Sequence, residues 1–166
     1  MAAADLKLEF LGIIGNAYDQ YGYPEYCGWI EGLLLVEPRE WTQIGISKRL
    51  GELFPASKHP TSISSVNRAL KLLEDYGVVE RAGSRKSGYV YRLVSSSNLV
   101  SSMLQQLVAV NQEFTIKMEL LASKIQEPDN DLSKAVDYQI RVARTWSQAV
   151  ERLLDSLSDE YENEAT

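Results

Sequence analysis

Ser64, Ser65, Asn67, Arg68 and Lys71 lie within one short stretch of the chain and share a chemistry: hydroxyl and amide groups that donate and accept, beside two cations. Short side chains of this kind allow a close approach and bond phosphate oxygens and base edges, while Arg68 and Lys71 supply charge. The five are expected on the helix face opposite Ile63, Val66, Leu70 and Leu73, whose spacing of three, four and three marks one buried stripe. Thr61 or Ser62 is placed to cap that helix, and no Asp or Glu follows in its first turn. The positive helix end is thereby left open to a phosphate. Taken alone, such a face also fits a solvated surface, so the neighbouring segments decide.

Those segments must stop the helix and place something beside it. Tyr76-Gly77 supplies the stop, with Gly in a left-handed cap. Residues 78–81 and 89–94 then alternate as two strands joined by AGSRKSG, whose Gly83 and Gly88 allow a turn and whose tip is Arg85-Lys86. Upstream, Pro55 and Pro60 enclose Lys58 and His59 just ahead of the helix. Helix, stop and basic-tipped hairpin together have the shape of a winged helix. The candidate DNA contacts are Lys58, His59, Thr61, Ser62, Ser64, Ser65, Asn67, Arg68, Lys71, Arg85 and Lys86.

The charge is distributed to match. The chain of 166 residues carries a net charge of -6, yet residues 45–92 hold 9 basic and 4 acidic residues, a local +5 between two acidic flanks. A local basic patch is the electrostatic footprint of a nucleic-acid binder. Cys27 and His59 are the only cysteine and histidine, which excludes an intrachain disulfide and a Cys/His zinc cluster. No cofactor or metal is expected, and without a grouped catalytic set or a phosphate-binding glycine loop the chain does not read as an enzyme. Asp5, Lys7 and Glu9 interrupt the segment where a signal peptide needs an apolar run, and no apolar run reaches the ~20 residues that span a bilayer. A cytoplasmic location with no membrane partner is expected.

Ahead of the basic region, residues 5–20 read as a helix with Leu6, Phe10, Ile13, Ile14, Ala17 and Tyr21 on one stripe, in which Gly12 and Gly15 suggest close packing on another helix. A second helix, opened by Pro24 and ended by Glu37-Pro38, turns Trp29, Ile30, Leu33 and Leu34 inward. Tyr18, Tyr21, Tyr23, Tyr26 and Trp29 gather around the junction, either as packing or as a cage for a cationic ligand. Trp41 suits a very short strand, and Thr42 caps a third helix whose Lys48-Arg49 faces outward. From residue 98 to about 126, and again from about 130, apolar residues recur at intervals of four and three, with Asn111 either at a core position of the first repeat or facing the surface on a rotated stripe. One small domain cannot cover both stripes, so a homodimer is expected, with Phe10, Leu107, Phe114, Leu121, Trp146 and Leu153 at its interface.

Read together, YGYPEYCGWIEGLLLVEP, the Leu50-Gly51 helix end, SSVNRALKLLEDYGVVER and SRKSGYVYRL resemble a winged-helix regulator of the MarR superfamily, most of all the GbsR type, over roughly residues 6–126. The resemblance implies a homodimeric transcriptional regulator, usually a repressor, that binds double-stranded DNA and often answers to a small-molecule effector. It carries reading-helix contacts onto Ser64, Ser65, Asn67, Arg68 and Lys71, and the wing contact onto Arg85 with Lys86. ELFPASKHP is longer than the tight turn the family has between its central helices. The expected fold is mainly α with a small β-hairpin wing: a dimerisation helix (1–22), a winged helix-turn-helix domain (23–95), a helical hairpin for dimerisation (96–160) and a flexible acidic tail (161–166). The alternative function is a winged-helix protein–protein interaction module without specific DNA binding.

Overall fold

The computed structural model describes residues 3–55, 62–94, 99–126 and 130–164. Its elements are α1 (Ala3–Gln20), α2 (Glu25–Val36), α3 (Gln43–Leu53), α4 (Ile63–Asp75), β1 (Val79–Ser84), β2 (Gly88–Leu93), α5 (Leu99–Lys124) and α6 (Asn130–Glu164). This is the α+β architecture of a winged helix, mostly helical with one antiparallel hairpin among the described residues. The chain divides into two compact units, Met1–Leu99 and Val100–Thr166.

α2 is the centre of the first unit, because every residue from Cys27 to Leu34 is buried. A helix apolar on nearly all sides must be surrounded. α1 meets it by close backbone approach: a Cβ on Gly28 would stand 2.6 Å from the Gly15 Cα, and one on Gly15 would stand 2.5 Å from the Trp29 indole nitrogen. Close packing therefore holds for Gly15, whereas Gly12 faces open space. This contact also sets the rotation of α1. Leu11, Gly15 and Tyr18 turn inward, while Leu6, Phe10, Ile13 and Tyr21 stay exposed. The stripe expected from the sequence is thus the uncovered side of the helix, because the face carrying Gly15 can approach α2 more closely.

α3 begins as expected, with the Thr42 side chain accepting from the Gly45 N–H at 3.0 Å, and continues through Leu50-Gly51 to Leu53. Lys48 is exposed, but Arg49 does not simply face outward. Its guanidinium forks onto Glu37, with Nη2 2.6 Å from Oε1, and reaches Glu52. The bond to Arg49 holds the Glu37 carboxyl below the usual carboxylate range, against the opposing effect of burial.

Gly77 takes the expected left-handed cap at φ 72°, and the Val78 N–H returns to the Leu73 carbonyl at 2.8 Å. The hairpin reaches further than the sequence pattern suggests. Gly83, at φ 100°, continues the ladder to Ser84↔Gly88, so most of AGSRKSG is strand and only Arg85, Lys86 and Ser87 form the tip. Trp41 adds a single bridge on Tyr91, each N–H bonding the other's carbonyl, which is the short strand expected there.

In the second unit α5 and α6 run antiparallel: Gln112 meets Glu151, and about two turns further along α5 Glu119 meets Arg144. Asn111 Nδ2 donates to the Ala143 carbonyl at 2.7 Å and to Ser147 Oγ at 2.6 Å, placing Asn111 on the seam. α6 remains helical to Glu164, so residues 161–164 are not the tail expected there. Of the proposed interface residues, Phe10, Leu107, Leu121, Trp146 and Leu153 are 37–48% exposed, and Phe114 is half-buried. Trp146 also lines a shallow groove of about 490 Å³ with Tyr138, Arg141, Val142, Thr145 and Ala149.

Candidate nucleic-acid interface

α4 has the strongest separation of faces that the sequence implied. Val66, Ala69, Leu70 and Leu73 are buried against the unit, and Ser64, Asn67, Arg68 and Lys71 are exposed. Ser62 is the cap: its hydroxyl accepts from the Ser65 N–H at 3.3 Å, and the first turn carries no acid. Two expectations for this helix are corrected. Ser65 is 1% exposed, because it lies about 100° round from Ser64 and directly below the buried Ala69, where its hydroxyl bonds Ser62 Oγ at 3.0 Å. Ile63 shares the stripe of Leu70 in angle but is 49% exposed, since it stands in the first turn, where that stripe runs past the core. Lys58, His59 and Thr61 lie outside the described residues.

The wing tip is a built turn with both cations outside. Ser84 and Ser87 each donate a backbone N–H to the other's hydroxyl, at 3.1 Å, and Arg85 and Lys86 between them are exposed. β1 is tied back to α4 by Arg81, which is 3.4 Å from Glu74 and lies over the Tyr89 ring at 4.4 Å.

Ion pairing sorts the cations of the first unit into two groups. Arg49, Arg81 and Arg92 are paired with Glu37, Glu74 and Glu80, and Arg39 lies over the Trp41 ring at 3.6 Å. Among the described residues, Lys48 of α3 and Arg68, Lys71, Arg85 and Lys86 have no acidic partner. Their charge is available to an external anion without first breaking an internal pair.

No protein-family model matches the chain, and no curated protein matches it. Among solved structures it is similar to one described as the crystal structure of a transcriptional regulator, with a TM-score of 0.61 and 15% identity over 92% of this chain and 98% of that one. The two share a fold. The likeness spans both compact units, so the helical pair belongs to the shared architecture along with the winged helix. Among the described residues no helix is long and apolar enough to cross a membrane.

One residue beside these candidate contacts has no signal in local sequence. Gln43, the first residue of α3, donates from Nε2 to Asn67 Oδ1 at 2.7 Å and to the Tyr91 hydroxyl at 3.1 Å. It joins α4 to the base of the wing, and its partners stand 24 and 48 positions away, beyond any periodicity argument.

Of the five aromatic residues proposed as a cage, only Tyr18 and Tyr23 are in ring contact with one another among the described residues, edge to face with centroids 6.4 Å apart. Tyr18 is buried and donates to Glu31; Tyr23 donates to the Tyr76 hydroxyl at 2.6 Å; Trp29 stacks on Phe54 with centroids 4.2 Å apart. Tyr21 is 51% exposed and Tyr26 half-buried. Burial, then the bond to Tyr76, pushes the Tyr23 hydroxyl up to about 12. Tyr18, Tyr23 and Trp29 thus tie α1 and α2 to each other and to the ends of α3 and α4.

Proposed function

We propose that this chain is a homodimeric regulator of transcription that binds double-stranded DNA in a sequence-specific way and represses by occupying it. The observation that carries the reading is the sorting of cations: those on the exposed face of α4 and at the wing tip are unpaired, whereas the arginines around them are engaged. α4 is the reading helix, offering Ser64, Asn67, Arg68 and Lys71 to the major groove, and Arg85 with Lys86 reaches the flanking backbone or minor groove. The similarity to a transcriptional regulator across nearly the whole of both chains supports the same assignment.

A titration of binding against salt tests the reading. Each phosphate contact releases counterions and adds about 0.9 to the log–log slope, so a dimer is expected to show a slope of several units. Arg68→Ala is expected to cost about 1 to 3 kcal/mol, mainly on the preferred site, whereas Arg85→Ala weakens selected and scrambled duplexes alike. A slope near zero, or discrimination lost on changing Arg85 and untouched on changing Arg68, rejects the assignment. Retention of a protein partner at high salt with no retained DNA would favour the interaction-module alternative, for which the exposed Ile44 and Ile63 offer an apolar surface.

The dimer rests on the uncovered apolar residues of α1, α5 and α6, with Phe114 in the seam between copies. Phe114→Asp is expected to yield monomer or unfolded chain in sedimentation at micromolar concentration. A folded dimer would remove residue 114 from the interface.

A further inference from the structure

Asn67 is the one amide on the exposed face of α4, and an amide can present either its oxygen or its nitrogen to a base. Which it presents is decided by what holds the other end. Gln43 Nε2 has two hydrogens, and both are engaged, one on Asn67 Oδ1 and one on the Tyr91 hydroxyl. Tyr91 is itself fixed: it is 3% exposed, paired with Arg81 in the hairpin and bridged to Trp41. The Asn67 oxygen accepts from Gln43, whose second partner is the Tyr91 hydroxyl, and among the described residues the Asn67 nitrogen makes no hydrogen bond.

We propose that Gln43 is a positioning residue that makes Asn67 a donor-only reader, matched to a base edge offering acceptors alone. An asparagine with both ends free pairs with adenine, accepting from N6 and donating to N7; guanine presents two acceptors, N7 and O6, and needs no oxygen from the protein. With Oδ1 engaged by Gln43, the adenine pairing loses its acceptor and guanine is favoured. The inference rests on the DNA-binding reading above and names the base that reading leaves open.

Selection of bound duplexes from a pool randomised over the half-site, at one salt concentration, tests it with the full-length chain, Asn67→Ala, Gln43→Glu and Gln43→Leu. Folding of each is checked by circular dichroism. The unmodified chain is expected to enrich guanine over adenine at one position by about tenfold, the order of one discriminating base contact. Asn67→Ala loses that preference. A carboxylate at position 43 only accepts, so in Gln43→Glu the Asn67 nitrogen turns inward, its oxygen turns out, and adenine overtakes guanine. Gln43→Leu, which holds neither end, flattens the preference. A purely structural role for Gln43 would lower affinity without reversing the base. An Asn67-dependent position that already prefers adenine, or keeps its base in both Gln43 variants, overturns the inference while leaving DNA reading in place. The absence of any Asn67-dependent position does the same. Failure to enrich any sequence overturns the DNA-binding reading and this inference with it.

Discussion

Gly28→Val is expected to destabilise the first compact unit by at least about 3 kcal/mol, the upper end of what overpacking costs. The magnitude follows from what the new atoms would meet. A Cβ at position 28 would come within 2.6 Å of the Gly15 Cα and of the Ile14 carbonyl oxygen, and within 2.7 Å of the Gly15 nitrogen. All three are backbone atoms of a helix, so no rotamer change gives way and α1 must move off α2. Gly12→Ala is the control, since nothing lies within 4 Å of its added methyl; there helix propensity gives a gain of up to about 1 kcal/mol. Urea midpoints of the two variants against the unmodified chain measure the contrast. An unchanged midpoint for Gly28→Val would mean that the two helices are not held this close.

A second large effect is expected at Glu31, a carboxyl 6% exposed on the most buried helix of the unit. Burial raises its pKa above 4.5, and the bond from the Tyr18 hydroxyl opposes that rise. The tyrosine is in turn pushed above the usual tyrosine range, by burial first and then by Glu31. Tyr18→Phe removes the donor and leaves a buried acceptor unmade, at a cost of about 1 to 3 kcal/mol and more for the charged form. The sign of the pH dependence follows from linkage. Because folding raises the pKa of this acid, its favourable contribution is whole below about 4.5 and is lost as pH rises through the higher folded value. Glu31→Gln keeps an acceptor for Tyr18 and does not titrate, so its stability relative to the unmodified chain is expected to grow from acid toward neutral pH. Unfolding free energies measured across that range decide the matter. A difference that stays constant with pH would mean that Glu31 titrates alike in the folded and unfolded chain.

What the sequence made legible was local. The stripe of Val66, Leu70 and Leu73, the cap at Ser62, the left-handed Gly77 and the basic tip Arg85-Lys86 each depend on residues a few positions apart, and each stands where periodicity and turn chemistry put it. What stayed hidden depends on distant partners. The rotation of α1 is set by Gly15 against Gly28, not by its own apolar stripe. Ser65 reads as polar and outward until the layer burying Ala69 is in place beside it. The tyrosines and Trp29 cluster in sequence, yet their partners Glu31, Phe54 and Tyr76 lie on other helices or at their ends. Gln43 is an unremarkable first residue of a helix until the wing folds back over it.

The amide of Asn111 limits how the second unit can move. It fits one stagger of α5 on α6, because a slide of one heptad would put Ile140 or Leu154 where Ser147 now accepts its hydrogen. Another carbonyl of α6 would replace that of Ala143, so the shifted stagger forfeits one hydrogen bond of a half-buried amide, about 0.5 to 1.5 kcal/mol. The polar contact therefore indexes the pair, setting one stagger of α5 on α6 below its heptad-shifted alternatives in free energy.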